Sequence, residues 1–391
     1  MEHIFYRNNP WWEDKGFTNN LIKRDSVLNK ISENYSNKQV IFITGLRRIG
    51  KTTSIKLFIE HLITKKKIDK NRILYISLDN YMLRDYNILE IVEKFMQIQN
   101  IKFGEKLHLF FDEITYKPDF EIQLKNLYDN YNAKIVASSS SASMLKNRKD
   151  LLTGRNIIIE VLPLDFQEFL LFKKINISKA DAHLVPNYFH EFLKTGGIPE
   201  YVLTNDIEYI NNLVDNIIHK DIAALNNIRN VGVLKDYFLL LMERSGKQLS
   251  INKISNILKI SPDTSRRYFD LFCDAFLIFP VVRYGKTNEK LLSPKKIYSV
   301  DLGIRNLFTG ERDFGSLFEN YIYIKIKHLK PRYYYENGIE IDFFTSNKQL
   351  IEVKYHDKNL NEKQKLLFDK IEAKSKHIIR TDYDIINFLN S

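Results

Sequence analysis

The chain has one cysteine, Cys273, which excludes an internal disulfide framework and any cysteine-ligated zinc site. It sits in the apolar run LFCDAFLIF, so a buried structural thiol is expected. Long hydrophobic runs are also missing. No stretch reaches the ~18 consecutive apolar residues of a membrane-spanning helix, so no span is expected. The opening MEHIFYRNNPWW lacks the apolar core of a signal peptide. These absences point to a cytoplasmic protein with no membrane partner. A guanine-reading N-K-x-D motif occurs nowhere in the sequence.

What is present is a long, mixed chain. Its 391 residues exceed one ordinary domain, and 44% apolar residues suffice for a sizeable core. The net charge of +11 is compatible with a nucleic-acid partner. An AT-rich genome would also enrich Lys, Asn and Ile, which are plentiful here.

Residues 39–44 (QVIFIT) are β-branched and aromatic, as a buried parallel strand requires. They run into GLRRIGKT, and TSIKLFIEHLI follows with apolar residues at helical spacing. Strand, G-x-x-x-x-G-K-T, helix is the order of a phosphate-binding loop. Gly45 and Gly50 let the backbone wrap phosphates without a side-chain clash. Leu46, Arg47, Arg48, Ile49 and Thr53 complete the cradle, whose amides and helix N-terminus face negative charge. Lys51 is expected to reach the outer phosphates of ATP, and Thr52 to offer its hydroxyl to Mg2+.

Residues 107–113 (LHLFFDE) read as a buried strand ending in two carboxylates. Asp112 is expected to hold magnesium and Glu113 to polarise an attacking water. Between loop and acids in the sequence, residues 73–78 (ILYISL) form another buried run. An extra strand between the two motifs, with the Asp-Glu pair, fits an ATPase and not a GTPase. The run KIVA then leads into four serines, of which Ser139 is the candidate γ-phosphate sensor; a plain serine-rich loop is the competing reading. Arg155, in LTGR, is a candidate finger onto a γ-phosphate in its own or a neighbouring subunit, against a plain surface arginine.

Residues 163–225 have helical patterning broken at Gly196, Gly197 and Pro199. They predict a lid over the nucleotide or a connector, with the glycines a hinge or a loop needing positive φ. Further on, residues 236–242, then a helix capped by Ser250, then a helix from Ser261, precede the strand-like residues 275–284. This order suggests a winged helix-turn-helix. Thr264, Ser265, Arg266 and Arg267 stand at the start of the second helix, where a DNA reader carries its contacts. Use of the same unit for protein packing is the alternative.

Near the C-terminus, PRYYY, a turn at ENG, IEIDFFT, a second turn and QLIEVKY predict three consecutive strands. Asp342 and Glu352 would project from adjacent strands, and Lys354, two residues past Glu352, from the same face. Such a set can share a magnesium and stabilise a phosphoryl transition state, or it can be a retained structural ion pair.

The ordered motifs NNPWWEDKG, TGLRRIGKTTS, ILYISLDN, LFFDEI, LTGR, PLDFQEF, GGIPE, KKIYSVDLG, LFEN, EID and IEVK cover nearly the whole chain. As a set they resemble the prokaryotic AAA-type (archaeal) ATPases with a C-terminal restriction-endonuclease-like domain. The resemblance implies ATP binding by Lys51 and Thr52, Asp112 and Glu113 as the acidic pair, and Arg155 near nucleotide or a partner subunit. It also implies that Glu319 completes a metal shell with Asp342 and Glu352 where that fold is active. The family's usual threonine-glycine pair before the serines is Ala137-Ser138 here.

The expected architecture is α/β: a P-loop parallel sheet with a helical lid, a winged-helix-like segment and a C-terminal α/β restriction-endonuclease-like domain. The boundaries are 1–160, 161–228, 229–285 and 286–391. The expected function is Mg-dependent ATP hydrolysis coupled to a DNA-engaging, nucleolytic or non-nucleolytic C-terminal domain. A nucleotide-switched interaction module, with a protein partner or a homo-oligomer and an inactive nuclease-like domain, is the other reading.

Overall fold

The computed structural model describes residues 2–141, 154–355 and 359–390. The chain divides into two compact units, Met1–Leu162 and Pro163–Ser391.

The first unit is built on five strands: β1 (Val40–Thr44), β2 (Ile73–Ser77), β3 (Leu107–Asp112), β4 (Ala133–Ser139) and β5 (Asn156–Glu160). Their order is β2-β3-β4-β1-β5, and every neighbouring pair is parallel. β1 and β3 are buried along their whole length, which is why both read as unbroken apolar runs instead of alternating ones. The strand that separates β1 from β3 is β4. Residues 73–78, which lie between the two motifs in the sequence, supply the expected buried strand as β2, on the outer side of β3. β4 thereby carries the serine run into the gap between the glycine-rich loop and the acidic pair.

β2 is an edge strand, and the N-terminal motif covers it. The Asn9 side chain donates to the Tyr75 carbonyl at 2.9 Å and accepts from the Tyr75 amide at 2.7 Å. Trp12 Nε1 donates to the Ile73 carbonyl at 3.0 Å, and its ring stacks on Phe95. NNPWW therefore satisfies backbone groups that would otherwise pair with another chain.

The second unit opens with helices Phe166–Phe172, Val185–Thr195, Pro199–Thr204 and Ile207–Asn216. Helices Val231–Glu243, Ile251–Leu258 and Pro262–Asp274 follow, the second capped by Ser250. Beside them is an antiparallel sheet of β6 (Lys247–Leu249), β7 (Ile278–Val281) and β8 (Lys295–Ser299), in the order β6-β8-β7. β7 pairs with β8, so a boundary at residues 285 and 286 runs through a hairpin. The last part is helix Phe314–Ile326, strands β9 (Arg332–Glu336), β10 (Ile339–Phe344) and β11 (Gln349–Val353), helix Glu362–Lys370 and β12 (Ser375–Ile379). The sheet order is β12-β11-β10-β9, with β11 and β12 parallel and the others antiparallel. Helix Glu362–Lys370 makes the crossover that parallel pairing demands, burying Leu367 and Phe368 against Ile341 and Leu350.

Candidate functional site

β1 ends at Thr44, and the chain turns through Gly45 and Gly50, at φ 142° and 99°, before helix Lys51–Thr64 begins. A Cβ on Gly45 would stand 2.4 Å from the Val161 carbonyl oxygen, so only glycine lets the loop leave the strand this way. Gly45, Leu46 and Ile49 are buried, Arg47, Gly50, Thr52 and Thr53 are half-buried and Arg48 is exposed. Lys51 is buried, and its ammonium donates to the Gly45 and Leu46 carbonyls at 3.0 Å each. The loop is thus pulled around the lysine head. Arg24 braces it from outside, donating to the Ile49 carbonyl at 3.2 Å and the Leu162 carbonyl at 3.0 Å.

Asp112, at the end of β3, is 3% exposed and gathers three hydroxyls. Thr52 donates at 2.6 Å and Tyr75 at 2.9 Å to one carboxylate oxygen, and Ser138 donates to the other. The Tyr75 phenol is pushed up by burial and by the Asp112 carboxylate. Glu113 follows in a left-handed conformation at φ 50°. Its amide donates to Ser138 Oγ at 3.0 Å, and its carboxylate accepts from Ser140 Oγ at 2.9 Å. Ser138 and Ser140 are two apart on β4 and its extension, so they share a face and hold the acidic pair. Ser139 points elsewhere: its hydroxyl donates to the Ser141 carbonyl at 3.2 Å and to Thr115 at 3.4 Å. Sequence reasoning missed Arg24, Ser138 and Ser140. The period of two along KIVASSSS would have separated Ser138 and Ser140 from Ser139.

Arg155 is not brought to this loop. The Val40 amide donates to the Arg155 carbonyl at 2.8 Å, which places Arg155 beside the start of β1, at the opposite sheet edge. Its side chain pairs with Asp129 at 3.5 Å and lies over the Tyr128 ring. Leu152 and Thr153 of the same motif lie outside the described residues. A nucleotide with magnesium fits the residues present at the loop. Thr52 and Asp112 are hard oxygen donors already in contact, at the N-terminus of a 14-residue helix.

In the second unit, Glu319, Asp342 and Glu352 do converge, but with a residue of the KKIYSVDLG motif to which the sequence reading gave no site role. Lys296, on β8, is 1% exposed. Its Nζ lies 2.6 Å from Glu319, 2.6 Å from Glu340 and 3.1 Å from Asp342. Tyr298 donates to Glu319 at 2.5 Å. Lys354 pairs with Glu352 at 2.7 Å instead of facing open space. The Asp342 amide donates to Glu352 at 3.1 Å, and the Val353 amide donates to Asp342 at 2.9 Å. Burial, then the nearby Asp342 charge, pushes Glu319 up to about 7 and Glu352 up to about 8. The three acidic neighbours hold the Lys296 ammonium well above its ordinary value despite burial. A divalent ion does not fit this cluster as it stands. Among the described residues no group of three or more His, Cys, Asp or Glu side chains is arranged to hold a metal. Alternation gives only part of the signal for Lys296: it puts Lys296 and Tyr298 on one face of β8, and Glu340 and Asp342 on one face of β10, without saying that those faces meet.

Arg266 is exposed and lines an open cleft of about 630 Å³ with Asn252, Phe269, Lys290 and Lys295. Arg267 is turned away, donating to the Asn226 carbonyl at 2.8 Å. Ser265 is buried and bonds Tyr237 and the Ile251 carbonyl, so it is packing and not a surface contact. Among the described residues no helix is long and apolar enough to cross a membrane.

An AAA domain model matches residues 37–170, and a domain of unknown function, DUF8612, matches residues 186–314. Uncharacterized protein MJ1544 of Methanocaldococcus jannaschii is 30% identical over 375 residues, spanning 88% of this chain and 81% of that protein. An uncharacterized protein of Haemophilus influenzae is 26% identical, spanning 78% of each chain. Among solved structures, a DNA replication initiation factor matches at 18% identity and a TM-score of 0.30, covering 64% of this chain and 75% of that one. The strand order and the loop between β1 and its helix define the fold of the first unit as that of a P-loop NTPase. The chain belongs to the family of MJ1544, and its first unit is an AAA-type, nucleotide-binding P-loop domain.

Proposed function

We propose that the protein is a Mg-dependent ATPase whose nucleotide state controls a DNA-engaging second unit. The carrying observation is the contact of Thr52 with Asp112, and of Ser138 and Ser140 with the Asp112-Glu113 pair, across β1, β4 and β3. Lys51 exchanges its two loop carbonyls for the outer phosphates, a like-for-like trade of ammonium acceptors. The loop amides and the helix N-terminus take the remaining phosphate charge. Thr52 and Asp112 would hold magnesium, which when bound would neutralise charge developing on the phosphates. Glu113, released from Ser140, accepts the proton of the attacking water. Ser138 keeps Asp112 oriented while this happens. Arg155, at the far sheet edge of its own chain, would act on a neighbouring copy's nucleotide in a homo-oligomer.

The test is turnover and nucleotide binding by purified protein. Lys51→Ala should lose both. Glu113→Gln should keep binding while turnover falls by ~10²-fold or more. Normal hydrolysis by Glu113→Gln would remove the role given to that residue.

In the second unit, two consecutive helices beside a three-stranded sheet support a winged-helix reading, with Arg266, Lys290 and Lys295 facing the cleft. The helix–three-strand–helix–strand order of the last part supports a restriction-endonuclease-like fold. Binding to duplex DNA that falls steeply with salt, and that Arg266→Ala weakens while making the salt dependence shallower, supports DNA engagement. A protein-interaction module is the second reading, favoured by Arg267 being held on Asn226. Retention of a protein partner with no DNA binding at low salt would select it.

A further inference from the structure

The chemistry of the carboxylate cluster turns on Lys296. Glu319 comes from a helix, Glu340 and Asp342 from one face of β10, and Lys296 from β8. The three carboxylates are drawn to a single ammonium at 2.6–3.1 Å. Magnesium binds oxygens at about 2.0–2.1 Å in a near-octahedral shell and keeps several waters. No such shell forms while an ammonium occupies the point on which the oxygens are aimed. An ammonium and a dication within one buried pocket also repel strongly, because little solvent screens them. Conversely, three carboxylates with no cation between them would be prohibitive to bury, so this lysine is what allows them to be packed together. A lysine is the right length here, because the strand position is internal and the four-carbon stem delivers a compact charge.

We propose that Lys296 is a built-in cation that takes the place of a divalent metal in the second unit. The unit is then a metal-independent recognition scaffold, and removal of the ammonium converts the cluster into a divalent-cation site. Glu319, Glu340 and Asp342 would be the oxygens of that latent site, while Glu352 stays paired with Lys354. This inference is independent of the ATPase reading, since it concerns a different unit and a different readout.

The experiment uses the full chain without nucleotide and Mn2+ as the probe, with free Mn2+ counted by electron paramagnetic resonance. Wild type is expected to take up no Mn2+ that Asp342→Asn removes. Lys296→Met is expected to gain one site, at least ~10-fold tighter than any in wild type, and to lose it in Lys296→Met/Asp342→Asn. If Lys296→Met melts early, Mn2+ should restore its transition, since the ion replaces the missing charge. Plasmid DNA with Mg2+ or Mn2+ should remain uncut by wild type. Three results would each overturn the proposal: wild-type Mn2+ binding abolished by Asp342→Asn, wild-type cutting abolished by Asp342→Asn, or a Lys296→Met protein that neither gains a site nor is rescued by Mn2+.

Discussion

Ser138 and Ser139 differ by one position and by everything they touch. Ser138 donates to Asp112 and accepts from the Glu113 amide, whereas Ser139 bonds Thr115 and Ser141. Ser138→Ala should therefore leave a buried carboxylate oxygen short of a donor, at a cost of about 1–3 kcal/mol to the first unit. Mg-ATP affinity and turnover should fall with it. Ser139→Ala should leave turnover near wild type. Steady-state kinetics on the two variants, with urea melts as a stability control, check the assignment; equal losses would contradict it. The residues of the loop and the acidic pair were legible because chemistry restricts them to a spaced motif. Ser138, Ser140 and Lys296 were not, because their roles follow from which strands are neighbours. Lys296 lies 44 positions before Glu340 and 46 before Asp342 in the chain. Nothing local in KKIYS announces that its second lysine is buried. Only the sheet order and the pleat bring it to the acids.

Two elements outside the site show how buried polar groups constrain the fold. On β3, His108 is buried with its Nδ1 2.7 Å from the Tyr35 hydroxyl. Burial, then Lys106 and Arg72, lowers its pKa from 6.5 to about 4. Between those values the unfolded chain binds a proton that the folded one does not. Stability is therefore lost as pH falls through this window, by about 1.4 kcal/mol at about pH 5.5 relative to neutral pH. Urea midpoints of the first unit against pH should show that slope, and His108→Gln should flatten it. In the second unit, the GGIPE and DLG motifs lock together. Asp301 caps helix Leu302–Thr309 and accepts from the Gly197 amide at 2.6 Å; burial raises its pKa to about 6. A Cβ on Gly303 would stand 2.1 Å from the Thr195 carbonyl oxygen, and one on Gly197 2.3 Å from that of Leu164. The glycines, with Gly196 at φ 75°, are thus a close backbone crossing and not a free hinge. Gly303→Ala should cost about 3 kcal/mol or more by overpacking, seen as an early melting transition. The helices and strands here were readable from periodicity. The crossing was not, because a missing side chain leaves no periodic trace of what packs against it.

At the scale of the molecule, the chain is two units joined near Leu162 and Pro163, where strand patterning gives way to helical patterning. Within the second unit, β8 belongs with β6 and β7 while also carrying Lys296 to the β10 acids. Patterns of charge and periodicity mark elements one at a time and cannot report that one strand serves two neighbours. The division into two units has a thermodynamic consequence. A ligand that binds only the folded first unit stabilises that unit by mass action, by about 2.7 kcal/mol when its concentration is a hundred times its dissociation constant. Calorimetry should resolve two unfolding transitions, and Mg-ATP should raise the one that urea and pH assign to the first unit through His108. Lys51→Ala should abolish the rise, because it removes the ammonium that the phosphates engage. If nucleotide also shifts the second transition, and Lys51→Ala removes both shifts, the two units exchange free energy, as a nucleotide-controlled switch requires. A second transition indifferent to Mg-ATP in wild type would leave the ATPase intact but take away its control over the second unit.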